Sequence, residues 1–207
     1  MPAASPPPAP VYRVGTDGIL DAATAVFAAE GFDRANMDVI AARAGITKPT
    51  LYARFGSKEG LFAAAVQREY EVRKARLFDA YDEPSEQPFA VRLRRWSSAY
   101  FDLVRERPEG FALISEGERH PGAAALVKQG NDEVVDRIAT LVVQISGRRS
   151  RAGAHVVAAM ISGLFTACAR EAAANRAVDL ADVAALCESF VLGALRGVDP
   201  ELIDAVG

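Results

Sequence analysis

Proline and glycine divide this chain into long alanine-rich segments, and this division constrains the fold more than any other feature. Within the segments, apolar residues recur at three- and four-residue intervals, and no stretch alternates β-branched and polar residues as a half-buried strand does. The pattern predicts an all-α protein. With 207 residues, 50% of them hydrophobic, the chain can bury one sizeable core, or a small head packed on a larger body.

The amino-terminal third is predicted to hold one long helix followed by three capped segments. The first helix fits residues 17–30, with Thr16 as its N-cap and Gly31 free to adopt the left-handed conformation that ends many helices. Three more helices are expected at 37–44, 48–55 and 58–81, each after a capping residue: Asn36, Thr47 and Ser57. At 1.5 Å per residue the last spans about 36 Å, which is enough to join a head to a body.

The rest of the chain is predicted to form five more helices, at residues 89–105, 109–118, 123–145, 152–175 and 180–196. The fourth of these has no charged residue between Arg151 and Arg170, and is the one stretch that resembles a membrane span. Its histidine, serine, threonine and many alanines make it a poor span, so a buried interface helix explains it better. Its apolar surface is most simply covered by a second copy of the chain, with an ordinary monomer core as the alternative.

Residues 36–58, NMDVIAARAGITKPTLYARFGSK, fit the steric pattern of a helix-turn-helix. Gly45 permits a sharp turn between two short helices, and Ala41 is small enough for the helices to cross closely. Apolar side chains predicted to point inward follow the same two helices: Ile40, Ala44, Ile46, Leu51 and Phe55. The segment therefore predicts a DNA-reading unit.

The second helix of this unit is expected to present Lys48, Thr50 and Tyr52 to the groove and its walls. Its unpaired amino-terminal N–H groups can hold a phosphate, and Pro49 is harmless there because a first-turn residue donates no intrahelical hydrogen bond. Lys58, just inside the next helix, opposes the helix dipole. That misfit indicates an external anion as its partner, with a solvated lysine as the alternative.

The stretch ILDAATAVFAAEGFDRANMDVIAARAGITKPTLYARFGSKEGLFAAAV, residues 19–66, resembles the DNA-binding head of the tetracycline-repressor (TetR) family. The most specific part is GITKPTLYARFGSKEGL. The resemblance implies DNA contacts by Thr47, Lys48, Pro49, Thr50, Tyr52 and Lys58. Asn36 stands where the family usually has a serine or threonine cap touching phosphate, and Arg54, which departs from the commoner histidine or bulky residue, is a candidate for an extra contact.

The same resemblance implies a homodimer that binds double-stranded operator DNA and a small-molecule effector of unknown identity. We expect a disordered proline-rich tail at 1–14, the helix-turn-helix head at 15–60, and a helical body at 61–207 for ligand binding and for dimerisation through the last two long helices. Aromatic and sulfur side chains of the body are candidates to line a pocket, with plain core packing as the alternative: Trp96, Tyr100, Phe101, Phe111, Met160 and Phe165.

Several function classes are disfavoured. Two interpretations compete with a DNA-binding regulator: an all-α enzyme, and a partner-binding helical module without DNA readout. The enzyme is disfavoured because no catalytic, phosphate-binding or dinucleotide-binding motif is visible. The two cysteines, Cys168 and Cys187, lie far apart in sequence without zinc-ligand spacing, and indicate reduced core residues of a cytoplasmic protein. No metal or cofactor is expected. His155 is expected to be buried and His120 exposed.

The charge of the chain does not by itself favour DNA binding. The net charge is −3, and residues 11–60 hold six basic and six acidic residues. DNA binding must therefore depend on basic residues lying on the DNA-facing surface and acidic residues lying away from it, and the affinity should depend only modestly on salt concentration.

Overall fold

The computed structural model describes residues 15–82, 86–146, 150–175 and 177–206. This part of the chain forms ten α-helices and no strand, which confirms the all-α prediction. In chain order the helices are α1 (Thr16–Arg34), α2 (Met37–Arg43), α3 (Lys48–Phe55), α4 (Lys58–Asp82), α5 (Phe89–Glu106), α6 (Pro108–Gly117), α7 (Pro121–Ser146), α8 (Arg151–Ala174), α9 (Leu180–Gly197) and α10 (Pro200–Asp204). The predicted disordered tail, residues 1–14, lies outside the described residues.

Both ends of α1 differ from the sequence-based prediction, whereas the ends of the other predicted helices are shifted by at most two residues. Thr16 is the first residue of α1 rather than its cap, and Gly15 occupies the N-cap position without a side-chain hydrogen bond. Gly31 does adopt a positive φ of 77°, but α1 continues beyond this kink to Arg34. The short α10 was not predicted.

One apolar core holds the head together. Ile19 and Phe27 of α1, Leu51 of α3 and Phe62 of α4 are fully buried in it. Side chains from two body helices complete the same core: Leu113 and Ile114 of α6, and Ala123 and Val127 of α7. The head therefore shares its interior with the body.

The α6–α7 connection also packs on the head. The imidazole of His120 lies 4.1 Å from the ring centre of Phe32 and 4.9 Å from that of Phe62, so the expectation that His120 is exposed is wrong. The adjacent Pro121 indicated a loop, but no local sequence pattern shows that this loop packs against the head.

A second core fills the body, between the second half of α4 and helices α5, α7, α8 and α9. The outer face of α8 and α9 is left uncovered: Met160, Leu186 and Phe190 are 68%, 68% and 64% exposed. Nor is His155 buried, contrary to the prediction; it lies on the surface of α8 with Nδ1 3.3 Å from an Asp136 oxygen.

Among the described helices, α8 alone has the length and composition of a membrane-crossing helix. Its mean hydropathy over 18 residues is 1.6, and 28% of that window is buried. The core helix of a soluble protein passes the same test, so this is weak evidence for a membrane. The neighbouring apolar face of α9 lies beside the exposed part of α8, as expected for a helix pair that packs against another protein.

Candidate functional sites

Helices α2 and α3 form a helix-turn-helix whose turn is closed by backbone hydrogen bonds. Gly45 has a φ of 66°, a left-handed conformation that glycine adopts without strain, and Ile46 N–H donates to the Ala41 carbonyl at 3.0 Å. Ile40 of α2 and Leu51 of α3 are fully buried. The inner side of α3 is therefore fixed on the head core, and its other side is left for a partner.

The amino-terminal end of α3 carries a cluster of exposed polar groups. Thr47 is the N-cap, its Oγ1 accepts a hydrogen bond from Thr50 N at 3.3 Å, and the two threonine hydroxyls are 2.8 Å apart. Lys48, Pro49 and Tyr52 are exposed beside them. Hydroxyls, an ammonium group and a helix amino terminus on one surface are the groups that bind phosphate oxygens and base edges.

Lys48 is paired within the protein when no DNA is bound. Its Nζ lies 2.9 Å from an Asp38 carboxylate oxygen, and this hydrogen bond raises the pKa of Lys48. Both side chains are exposed, 44% for Lys48 and 62% for Asp38, so the pair is weak. Asn36 caps α2 by accepting a hydrogen bond from Asp38 N at 2.8 Å. The Lys48–Asp38 pair therefore joins the start of α3 to the capped start of α2.

Lys58 also has internal partners. Its Nζ donates to the Asp33 carbonyl at 3.1 Å and lies 4.9 Å from the ring centre of Phe32. The carbonyl and the ring stabilise its charge, so the position of Lys58 in the first turn of α4 no longer indicates an external anion by itself. A contact between Lys58 and DNA stays a prediction from the resemblance, as does the contact of Arg54, which lies exposed near the end of α3.

The body contains a largely apolar cavity of about 660 Å³, counted with the part that opens to solvent. Among the aromatic residues proposed from sequence, Trp96, Tyr100 and Phe165 line it. The other described lining residues come from α4, α5, α7 and α8: Arg73, Leu77, Tyr81, Phe89, Leu93, Val134, Ile138, Leu141, Val142, Ile145, Ile161, Ser162 and Thr166.

Three of the proposed pocket residues lie elsewhere. Phe101 is buried in the core against Tyr100 and Phe165, and Phe111 lines a smaller cavity beneath α5 and α6. Met160 is 68% exposed on the outer face of α8, so its assignment to the pocket is wrong. Because α8 is apolar nearly all round, its sequence does not distinguish the inner side from the outer one.

The polar groups in the cavity wall are mostly engaged. Trp96 Nε1 donates to the Ala80 carbonyl at 3.0 Å, and Tyr100 Oη donates to Thr166 Oγ1 at 3.5 Å. Burial raises the pKa of both Tyr81 and Tyr100, so the two phenols stay neutral. Arg73 is the only charged side chain among the described lining residues.

A buried carboxylate joins the head to the body. Glu69 of α4 is 2% exposed and accepts hydrogen bonds from Arg68 Nη2 at 2.6 Å and from Arg107 Nη2 and Nε at 2.8 and 3.0 Å. Burial raises the pKa of Glu69, but the two arginines outweigh it and hold the pKa below its usual value. Arg68 also donates to the Asp17 carbonyl of α1 at 2.9 Å, so this junction links α1, α4 and the start of α6.

Sequence reasoning missed Arg73, Glu69 and Arg107. The charged stretch QREYEVRKAR resembles a solvated helix surface, yet Val66, Arg73, Leu77 and Tyr81 follow one another at intervals close to whole helical turns. That spacing places Arg73 on the buried face of α4 and is the signal that could have found it. Among the described residues, no group of three or more histidine, cysteine or acidic side chains is arranged to hold a metal ion.

Comparison with known proteins gives one family match for the head. Residues 19–65 match the family model described as "Bacterial regulatory proteins, tetR family". The chain is 34% identical over 131 residues to the HTH-type transcriptional activator FasR of Mycolicibacterium smegmatis. That match covers 62% of this chain and 59% of FasR, so it spans about three fifths of that relative's length.

Solved structures match over most of the chain. A TetR-like transcriptional regulator from Rhodococcus sp. RHA1 has a TM-score of 0.72 and 28% identity, covering 88% of this chain and 96% of that one. FadR from Bacillus subtilis, solved in complex with stearoyl-CoA, has a TM-score of 0.72 at 20% identity and covers 89% of this chain and 100% of that one. At that identity the FadR match shows the fold alone.

Proposed function

We propose, from the premise that this chain belongs to the TetR family of bacterial regulatory proteins, that it is a transcriptional regulator whose DNA affinity is set by a small molecule. The observation that carries the proposal is the exposed polar end of α3 on an otherwise well-packed helix-turn-helix. This family is one of regulators and not of enzymes. A regulator of this kind works beside the chromosome, in the cytoplasm.

The proposed DNA contacts divide by chemistry. In this proposal Lys48, Thr50 and Tyr52 contact base edges and groove walls, and Lys48 does so by exchanging Asp38 for DNA. The remaining proposed residues supply backbone contacts that set the position of the head on the duplex: Asn36, Thr47, Pro49, Arg54 and Lys58. Loss of the second group should weaken binding to all sequences alike.

A homodimer through α8 and α9 is the proposed assembly. The exposed Met160, Leu186 and Phe190 form an apolar face that a monomer leaves in water. On the same two helices, a Cβ added to Gly163 or Gly193 would meet no atom within 4 Å, so both positions are open to a closely approaching helix. Two copies packed by this face make a four-helix bundle around a two-fold axis.

The dimer explains how a ligand controls DNA binding. Two recognition helices must lie about 34 Å apart to enter successive major grooves on one side of the duplex. Helix α4 lines the cavity at Leu77 and Tyr81 and packs into the head core at Leu61 and Phe62, so a shift of α4 moves the head. A ligand that binds better at another separation releases the operator through its differential affinity.

Repression relieved by the ligand is the proposed sign of regulation. Activation is the second candidate, because FasR, the relative with 34% identity, is named as an activator. The two differ in where the operator lies relative to the promoter, so footprinting on the bound fragment separates them.

The proposal is tested by titrating the full chain against duplex fragments of its own upstream region, followed by fluorescence anisotropy. The double variant Lys48→Ala, Tyr52→Ala should lose about 100-fold or more in affinity, since a good base contact contributes about 1–3 kcal/mol. Arg105→Ala, an exposed arginine of α5 in the body, is the matched control and should bind as wild type does. Equal binding by the double variant and the wild type would contradict DNA readout by α3.

The dimer is tested in the same preparation by sedimentation. Phe190→Glu places a charge on the exposed face of α9 and should convert a dimer to a monomer, because a buried unpaired carboxylate is costly. Glu201→Gln, on the exposed surface of α10, is expected to leave the dimer intact. A wild-type monomer at micromolar concentration, or a dimeric Phe190→Glu variant, contradicts this interface.

A further inference from the structure

Arg73 is a buried cation whose hydrogen-bond partners among the described residues are all neutral. It is 5% exposed, and both of its hydrogen bonds come from Nη2, to Tyr70 Oη and Asn131 Oδ1 at 3.0 Å each. The guanidinium lies 4.7 Å from the ring centre of Tyr70, and its buried Nε has no partner among the described residues. Burial raises the pKa of Tyr70 to about 12, so that phenol stays neutral beside the arginine.

No carboxylate of the described part of the chain forms an ion pair with Arg73. Glu71, two residues earlier on α4, is exposed and pairs with Lys74. Glu69, one turn earlier, is buried, but its two oxygens are already engaged by Arg68 and Arg107. A buried charge without an opposite charge costs several kcal/mol after relaxation of the protein. The Arg73 guanidinium is buried without an opposite charge, and its Nε–H has no hydrogen-bond acceptor among the described residues. A guanidinium in this state can bind an anion.

The surroundings of Arg73 define the rest of the ligand. Arg73, Leu77 and Tyr81 lie at four-residue intervals along α4, so the cavity extends about 12 Å from the arginine toward the end of the helix. Because α4 begins in the head, Arg73 marks the end of the cavity nearer to the DNA-binding surface. Beyond it, aliphatic and aromatic side chains dominate the walls.

We infer that the effector is an amphipathic carboxylic acid: its carboxylate binds Arg73, and its apolar chain or ring fills the cavity toward Tyr81 and Trp96. The inference rests on the proposed function, because it names the ligand class for the same regulatory cavity. A planar carboxylate can accept two hydrogen bonds from a guanidinium, and Nε is one of the donors available for this.

The same site explains how an acid could act on the head. Arg73 also lines the smaller cavity, together with Glu69, Arg107 and Phe111. When a carboxylate draws the guanidinium toward the larger cavity, it changes the packing beside Glu69, whose arginine partners hold α1 and the start of α6. A neutral ligand of the same shape fills the cavity without this pull.

The test compares acids with matched alcohols by calorimetric titration of the full chain. The probes are dodecanoate against dodecanol, and 4-phenylbutyrate against 4-phenylbutanol. With wild type we expect at least one acid to bind about 10- to 100-fold more tightly than its alcohol, the range for a hydrogen bond to a charged group. Arg73→Met should bind acid and alcohol equally, and Arg76→Met, an exposed arginine on the same helix, should behave as wild type.

Thermal unfolding without ligand separates binding from a structural role. Arg73→Met removes an uncompensated charge and leaves the 2.6 Å hydrogen bond between Tyr70 and Asn131, so its melting temperature should be equal to or above that of wild type. If the variant does not fold, the comparison of acid with alcohol on wild type, which needs no variant, decides whether the inference stands.

The outcomes also separate this inference from the proposed function. Equal binding of acid and alcohol by wild type, or no binding of either acid, overturns the inference, while operator binding that requires Lys48 and Tyr52 leaves the regulator intact. Acid binding lost in Arg73→Met supports the site even if no upstream fragment is bound, in which case DNA regulation is the proposal that fails. Equal binding of dodecanoyl-CoA and dodecanoate counts against a free carboxylate.

Discussion

The head and the body hold their cations in opposite ways. In the head, Lys48 lies exposed beside Asp38, and Lys58 rests on a backbone carbonyl and the ring of Phe32. In the body, Arg73 is buried, and its hydrogen-bond partners in the described part of the chain are neutral. Surface pairs of the first kind exchange readily for phosphates, whereas a buried cation selects one anion of fitting shape. The difference matches a surface that meets a long polyanion and a cavity that admits one small molecule.

Glu69 lies between these two arrangements and should give the largest effect on stability. Glu69→Gln removes the charge shared by Arg68 and Arg107, and we expect the free energy of unfolding to fall by about 3 kcal/mol. This is the lower end for breaking a buried pair, because Arg107 is 38% exposed. The measurement is urea unfolding, with Glu133→Gln as the control, since its exposed pair with Lys74 should contribute at most about 1 kcal/mol.

The pH dependence of stability tests the role of the Glu69 charge independently. The pKa of Glu69 is lowered in the folded chain, so its contribution is fully present above the usual value of 4.5 and is lost as the pH falls through the folded value. The stability difference between wild type and Glu69→Gln should therefore shrink on acidification below 4.5. A constant difference down to pH 3 would mean that geometry rather than charge is responsible.

The next effect concerns the neutral cap of the recognition helix. Thr47→Ala removes the hydroxyl that accepts from Thr50 N, and we expect a loss of about 1 kcal/mol in unfolding free energy together with weaker DNA binding. Thr47→Ser keeps the hydroxyl and should retain most of both. If the alanine variant is as stable as wild type, the hydroxyl serves DNA alone.

The smallest effect tests the weak surface pair of the head. Asp38→Asn frees Lys48 and removes a negative charge near the DNA surface, so nonspecific DNA affinity should rise by up to about fivefold and the salt slope should steepen. Stability should change by less than 0.5 kcal/mol, the usual limit for such surface sites. Unchanged affinity would show that Asp38 does not compete with DNA for Lys48, and would weaken the contrast between head and body.

The head was more predictable from sequence than the body, for a physical reason. Gly45, Thr47 and Leu51 each act within one or two helical turns, through a sharp turn, a cap and a buried position, so local sequence is enough to place them. The body depends on which sides of long helices face one another. The three- to four-residue spacing of apolar residues does not identify the inner side of α8, because this helix is apolar nearly all round. Met160 and Phe165 have similar sequence surroundings, but of these two residues only Phe165 lines the cavity.

The buried charged residues were also not predicted from the sequence. Glu69, Arg73 and Arg107 come from a charged run and from a helix junction, and each is commonplace on a protein surface. Their burial depends on contacts between residues 38 positions apart in the chain, as between Glu69 and Arg107. Side chains from α5, α7 and α8 complete the cavity around Arg73, and no local pattern contains that information.

The core that α6 and α7 share with the head limits how the molecule can be re-engineered. Exchange of DNA specificity between related regulators is usually imagined as a graft cut just after the recognition helix. Here a cut near residue 60 would separate Phe62 and Val66 from the head they support, and would set a foreign α1 against the native Leu113 and Val127. A chimera that keeps α1 together with α6 and the first turns of α7 from one parent should fold, whereas the shorter transplant should give an insoluble hybrid.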